Sequence, residues 1–265
     1  MQANNMFDPR RFWLLLKEEI HLDYHRYLLG LGAAFGLLAV IWWFNGFDIN
    51  VNDHLAEFHY IWFGIILIGG GAFFTSIAYV PYGEKTSRLF YLNLPASTLE
   101  KFASKWFITA ILYPLAIWLF YLVFSWVVNA VYMAYTGGTP FIALPAFGYK
   151  TWLFIRIYIV VQSLFLLGAV IFHRFAIFKT GFSLLLLGIT LGLFTFICFR
   201  LLFPEVFDGL LTVGRYSPNQ VYEPSESFKT FVETRMEDML TYLFWIVPAP
   251  VLLIIGYYKL KEKEV

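Results

Sequence analysis

Six long apolar runs follow one another along the chain, and they restrict its possible folds more than any other feature. They extend approximately over Tyr27–Phe47, Tyr60–Val80, Trp106–Tyr135, Trp152–Phe172, Phe182–Phe203 and Leu240–Tyr258. A helix that crosses the hydrocarbon core of a bilayer needs about 20 such residues. The runs are continuously apolar, whereas strands of a membrane barrel alternate between apolar and polar residues. The sequence therefore predicts an all-α, polytopic membrane protein with six transmembrane helices.

The composition agrees with lipid as the solvent. The chain has 265 residues, of which 60% are hydrophobic and 14% charged, whereas a soluble domain has roughly 45–50% apolar and about 25% charged residues. Its 19 Lys and Arg residues nearly balance 18 Asp and Glu residues, which argues against nucleic acid as the main partner. We expect a single transmembrane domain over residues 1–265, in contact with membrane lipid.

The segment before the first run differs in pattern. Apolar and aromatic residues recur at helical spacing, and charged residues fill much of the remainder. This pattern is typical of an amphipathic helix in the membrane interface, predicted here over residues 1–26, with a solvated lead-in as the alternative. Neither a short apolar core nor a small-residue cleavage site is visible, so we expect no cleavable signal.

The distribution of Lys and Arg predicts the orientation, since these residues accumulate on the cytoplasmic side. With a cytoplasmic N-terminus, 13 of the 19 fall on the inner side. They are Arg10, Arg11, Lys17, Arg26, Lys85, Arg88, Lys101, Lys105, Arg174, Lys179, Lys259, Lys261 and Lys263. Both termini are therefore predicted to be cytoplasmic, in a plasma (inner) membrane. Residues 204–239 then form an extracytoplasmic segment that contains short helices.

The most informative connection covers residues 81–105, between the second and third runs. Its first half, from about Glu84 to Leu92, has the composition of a short helix that ends at Asn93 and Pro95. Ser97 and Glu100 have the spacing of a capping box, which starts a new helix. The sequence therefore predicts a helix–turn–helix elbow at the inner surface. A plain connecting loop is the alternative.

The predicted polar helix is followed by the sequence Leu94-Pro-Ala-Ser97 and then by Glu100, Lys101 and Lys105. In this order of features, the chain resembles the membrane (permease) subunits of type-2 ABC transporters. Those permeases have an interfacial helix, six spans, two cytoplasmic termini and an outer region between spans five and six. The resemblance covers essentially the whole chain.

This resemblance implies a transport subunit without its own ATPase motif, which forms a homodimer or pairs with a related permease. A separate ABC ATPase subunit would bind ATP and Mg, and this chain would hold no cofactor. The helix after the second span would be the coupling helix that enters a cleft of the ATPase. By position, its contact residues would be Glu84, Lys85, Arg88, Leu89, Phe90 and Leu92.

Motifs for nucleotide or metal binding are not found. Gly83-Glu-Lys-Thr and Gly148-Tyr-Lys-Thr both lack the Gly-Lys pair of a phosphate-binding loop. The pairs His21 and His25, and His54 and His59, have no obvious third ligand. We therefore expect no catalytic residue, cofactor or metal on this chain.

Two pairs of glycines have the spacing that lets helix backbones approach closely in lipid. Gly32 and Gly36 lie in the first run, and Gly188 and Gly192 lie in the fifth. The resembled permeases dimerise through their first and fifth spans, which makes these glycines a candidate dimer seam. Packing within one subunit is the alternative.

Few polar groups lie within the runs. They include Asn129, Gln162, Ser163 and Thr195. In one interpretation these residues line a polar pathway, and in another they join helices by hydrogen bonds.

A permease of an ATP-driven exporter is the leading hypothesis. A non-transporting accessory or assembly subunit and an intramembrane lipid-modifying enzyme or protease are the alternatives.

Overall fold

The computed structural model describes residues 7–45, 54–80, 94–136, 148–202 and 246–264. These residues form six helices and no strand, which confirms the all-α class for this part of the chain. The helices, some built from consecutive segments, are α1 (Pro9–Asn45), α2 (His54–Gly64, Ile65–Gly70 and Gly71–Ser76), α3 (Thr98–Phe107, Ile108–Leu112 and Tyr113–Thr136), α4 (Tyr149–Phe172), α5 (Ala176–Leu202) and α6 (Pro248–Glu264). The middle segments of α2 and α3 are π-helical.

Four of these helices contain stretches long and apolar enough to cross a membrane. They are His59–Ser76, Thr98–Val131, Tyr149–Phe172 and Ala176–Cys198, and they correspond to the second to fifth predicted runs. The apolar part of α1, Leu28–Trp42, is shorter. Residues 240–245 of the sixth predicted run lie outside the described residues. The number of six spans therefore stays a prediction.

The N-terminal region joins most of the predicted interfacial segment to most of the first apolar run in a single helix. Within the described residues, α1 is one helix of 37 residues, Pro9–Asn45, which corresponds to a length of about 55 Å. No proline or glycine occurs between Pro9 and Gly30, so nothing in the sequence interrupts the helix near residue 26. The position of this segment relative to the membrane stays a prediction.

The contacts divide the chain into two compact units, Met1–Ile177 with Pro248–Val265, and Phe178–Val247. The first unit contains two apolar clusters. One consists of Leu38, Trp42, Phe63, Leu67, Ile117, Tyr121, Phe124, Val128 and Tyr158, and the other of Tyr79, Phe102, Leu166, Ala169, Val170, Ala176 and Leu260. In the second unit, residues 185–197 of α5 are exposed, and most of them are large and apolar.

Candidate functional site

The start of α3 is built around one buried carboxylate. Ser97 precedes the helix, and its hydroxyl accepts a hydrogen bond from the backbone N–H of Glu100 at 3.2 Å. The Glu100 carboxylate in turn accepts one from the Ser97 N–H at 2.8 Å. These two reciprocal bonds are the capping box, and they satisfy backbone donors that a helix start leaves open. Leu94, Pro95 and Ala96 form the bend before it.

Glu100 also holds the N-terminal segment of the chain. Its Oε1 accepts hydrogen bonds from the backbone N–H of Asp8 at 2.7 Å and from Nη2 of Arg11 at 3.0 Å. The Glu100 side chain is 0% exposed, and burial of a carboxylate is costly unless it is paired. One side chain therefore connects the turn before α3 with the beginning of α1.

A second ion pair joins the same two helices further along. Lys105 Nζ lies 3.2 Å from Glu19 Oε1, and both side chains are largely buried. Leu15 and Leu16 are buried on the intervening turn of α1. We call Asp8, Arg11, Glu19, Glu100 and Lys105 the charged junction. Since it attaches α1 to α3 at two separate points, it fixes the direction of one helix on the other.

The last turns of α6 lie at the same end of this unit. Phe102 of α3 packs edge-to-face against Tyr257 of α6, with ring centroids 6.2 Å apart. Lys263 Nζ donates to the carbonyls of Val170 at 2.7 Å and Ile171 at 3.2 Å, where α4 ends with unsatisfied carbonyls. Partial burial, followed by repulsion from Lys259, lowers the pKa of Lys263.

Deeper in the unit, polar side chains of α3 and α4 form a buried layer. Thr109 Oγ1 accepts a hydrogen bond from Gln162 Nε2 at 2.8 Å and donates to the Lys105 carbonyl at 2.8 Å. The Tyr158 hydroxyl donates to the Thr109 carbonyl, and the Tyr113 hydroxyl donates to the Ile66 carbonyl of α2 at 2.8 Å. We call Thr109, Tyr113, Tyr158 and Gln162 the polar layer.

The polar layer was only partly visible in the sequence. Gln162 was recognised as a polar group within a run, and in the structure it makes a bond between helices. The tyrosines were not recognised, because a tyrosine in an apolar run has the composition of an ordinary core residue. Pro114 was the available signal, since a proline inside a helix leaves backbone carbonyls without a donor.

The predicted site residues fall into three groups. Ser97 and Glu100 are described above. Glu84, Lys85, Arg88, Leu89, Phe90 and Leu92 lie outside the described residues. At Gly32, Gly36, Gly188 and Gly192, an added Cβ would meet no described atom within 4 Å. Packing within the described part of the subunit therefore does not require these glycines, and the dimer seam stays a prediction.

Two of the described histidines contact tyrosine side chains. His59 is buried, and its Nδ1 lies 3.3 Å from the hydroxyl of Tyr121. The His25 ring packs on Tyr24, with centroids 3.8 Å apart. Among the residues that the structure describes, no group of three or more His, Cys, Asp or Glu side chains is arranged to hold a metal ion.

Comparison with protein-family models, curated proteins and solved structures finds no match for this chain. The described geometry, a helical membrane unit with a charged junction at one end and a polar layer in its interior, is therefore the basis for a functional assignment.

Proposed function

We propose that this chain is the membrane-spanning permease subunit of an ATP-driven ABC exporter. It dimerises in the plasma (inner) membrane and couples to a separate ATPase subunit. The charged junction is the observation that carries this proposal. A chain that transmits force from a partner requires a rigid attachment next to the contact surface. Glu100 supplies one, seven residues after Asn93, the predicted end of the coupling helix.

The proposed topology has six spans with both termini in the cytoplasm. Its support is that Asp8, bound to Glu100, and Lys263, bound to the end of α4, lie at the same end of the unit. If Asp8 and Lys263 lie on one side of a membrane, the chain crosses it an even number of times between them. The positive charges at this end favour the cytoplasmic side.

The coupling mechanism follows from how the junction is built. Residues 81–93 lie between the end of α2 and the bend at Leu94, so a pull on this segment acts on α2 and α3 together. Because Glu100 and Lys105 also hold α1, three helices would respond to one displacement at the charged end. The ATPase supplies nucleotide-driven closure, and the membrane helices exchange between two arrangements.

Co-purification tests the proposal. We expect the tagged chain, extracted from its native membrane in mild detergent, to retain an ATPase subunit. The double variant Arg88→Ala/Phe90→Ala should lose this partner while its own membrane insertion and elution volume remain unchanged. Reconstitution of the wild-type chain should stimulate ATP hydrolysis by the partner, whereas an accessory subunit would bind without stimulating it.

A matched control is available in the turn between α4 and α5. Arg174→Ala/Phe175→Ala removes the same two side-chain types, which are exposed, from a different connection. We expect this control to retain the partner. If the Arg88 and Phe90 variant keeps its ATPase, or if both double variants lose it equally, the coupling assignment is wrong.

A further inference from the structure

The π-helical segment of α3 has a cause in the sequence. Pro114 lies two residues after the end of the segment Ile108–Leu112, and a proline has no N–H and clashes with the carbonyl four residues before it. The N–H of Tyr113 donates to the carbonyl of Ile108, five residues back. In an α-helix it would donate to Thr109, four residues back. The Thr109 carbonyl therefore loses its usual donor.

The hydroxyl of Tyr158 on α4 takes the place of that missing N–H. It donates to the Thr109 carbonyl, and the Tyr158 side chain is completely buried. In a membrane interior no water is available for an open carbonyl, so a donor from a neighbouring helix is needed. Tyr158 therefore caps the π-helical segment of α3.

A tyrosine hydroxyl also donates to a carbonyl in the π-helical segment of α2. In α2, the N–H of Gly71 donates to Leu67 and Ile68, not five residues back to Ile66. The hydroxyl of Tyr113 donates to the Ile66 carbonyl instead, at 2.8 Å. Each π-helical segment thus has one carbonyl that accepts a hydrogen bond from a tyrosine hydroxyl of the next helix. Tyr113 of α3 donates to the segment of α2, and Tyr158 of α4 donates to the segment of α3.

Glycines make room for both tyrosines. A Cβ at Gly70 would lie 2.6 Å from the Tyr113 hydroxyl, and a Cβ at Gly71 would overlap the Tyr158 ring. At Gly69 an added Cβ meets no described atom within 4 Å. Gly70 and Gly71, which contact the tyrosines, are thus sterically restricted to glycine, whereas Gly69 is not.

We propose that the two π-helical segments are linked hinges, with Tyr113 and Tyr158 as their latches. A π-helical segment holds one residue more than the α-helical ladder needs, so its reset to α-helix turns the adjoining part of the helix by about 100° and moves it by about 1.5 Å. Tyr113 directly follows the hinge of α3. When that hinge resets, Tyr113 turns away from Ile66, and the hinge of α2 loses its latch.

This proposal does not depend on an ATPase partner, and it predicts an order of effects. Loss of the Tyr158 hydroxyl should loosen both hinges, because α3 carries the latch of α2. Loss of the Tyr113 hydroxyl should loosen only α2. Tyr121→Phe is the matched control, since this buried tyrosine contacts a histidine side chain.

Hydrogen exchange of the full-length chain in lipid nanodiscs, followed by mass spectrometry, measures these effects. Loss of one buried hydrogen bond should accelerate local amide exchange by about two- to tenfold. We expect this acceleration in residues 64–72 and 106–113 for Tyr158→Phe, in residues 64–72 alone for Tyr113→Phe, and in neither for Tyr121→Phe.

A second pair of variants tests the α2 hinge without removing a hydroxyl. Gly70→Ala should displace Tyr113 from Ile66 and reproduce the pattern of Tyr113→Phe, whereas Gly69→Ala should leave exchange at the wild-type rate or slow it. The linked hinge is refuted if Tyr158→Phe affects only α3. It is also refuted if Tyr121→Phe accelerates exchange in both segments to the same extent as Tyr158→Phe.

Discussion

Replacing Glu100 by glutamine tests whether this buried side chain holds the N-terminal segment in place. The carboxylate accepts hydrogen bonds from the N–H groups of Ser97 and Asp8 and from the Arg11 guanidinium. Glutamine has nearly the same shape but only one acceptor oxygen, and its amide group places a donor against a donor. The variant therefore removes the attachment with little change in volume.

The magnitude follows from the number and type of these bonds. A hydrogen bond to a charged group contributes about 1.5–3 kcal/mol, and a buried donor left without an acceptor costs about 1–3 kcal/mol. The Arg11 side chain is 29% exposed, so water offsets part of its loss. We expect the attachment to weaken by about 2–4 kcal/mol, which raises the detached population on the order of 30- to 700-fold.

Limited proteolysis measures this detached population directly. Trypsin cleaves after Arg10 and Arg11, and the cleavage rate follows the open population when opening is fast relative to cleavage. The matched control is Glu262→Gln, which removes an exposed ion pair of 2.7 Å with Lys259. Exposed pairs contribute only about 0–1 kcal/mol, so cleavage near Arg11 should remain close to the wild-type rate.

Equal cleavage of the Glu100→Gln and Glu262→Gln variants would refute the claim that the charged junction holds the segment. An Arg11→Gln variant provides a further check, because Arg11 and Glu100 are in direct contact. The effects of the two substitutions should be non-additive by about 0.5–3 kcal/mol, as measured by a double-mutant cycle. Full additivity would mean that the two side chains act independently.

Two further predictions concern stability and topology. Gly71→Ala should destabilise the chain by about 1–3 kcal/mol through overpacking against the buried tyrosine ring of α4, whereas Gly69→Ala should stabilise it by up to about 1 kcal/mol through helix propensity. Thermal unfolding in detergent distinguishes them, and similar shifts would contradict the packing argument. In a Cys198→Ser background, single cysteines at Lys85 and Lys263 should both resist a membrane-impermeant maleimide applied to the outer side. Labelling of only one would contradict an even number of crossings between these two positions.

The helices and the capping box were accessible from the sequence because both depend on local rules. Apolar runs of sufficient length predict helices in lipid, and Ser97 with Glu100 has the spacing of a known helix start. The remaining partners of Glu100 could not be predicted. Asp8 and Arg11 are 92 and 89 residues away along the chain, and no local pattern indicates which charged residue meets which.

The packing partners of the glycines could not be predicted from the local sequence either. The spacing of Gly32 with Gly36, and of Gly188 with Gly192, is typical of a close helix contact, yet in the structure a Cβ added at any of the four would meet no described atom within 4 Å. At Gly70 and Gly71, an added Cβ would instead meet the side chains of Tyr113 and Tyr158. The role of these two glycines depends on tyrosines of other helices. It is therefore determined by tertiary packing, which the composition and the spacing of residues do not predict.

The charged junction and the polar layer meet at Lys105. Its ammonium group pairs with Glu19 of α1, and its carbonyl accepts a hydrogen bond from Thr109, the residue whose own carbonyl is capped by Tyr158. Only one helical turn separates the two sites. A displacement of α1 at the charged end therefore acts on the turn directly before the π-helical segment of α3. In physical terms, the attachment that would receive force and the hinge that would yield to it are adjacent parts of one helix.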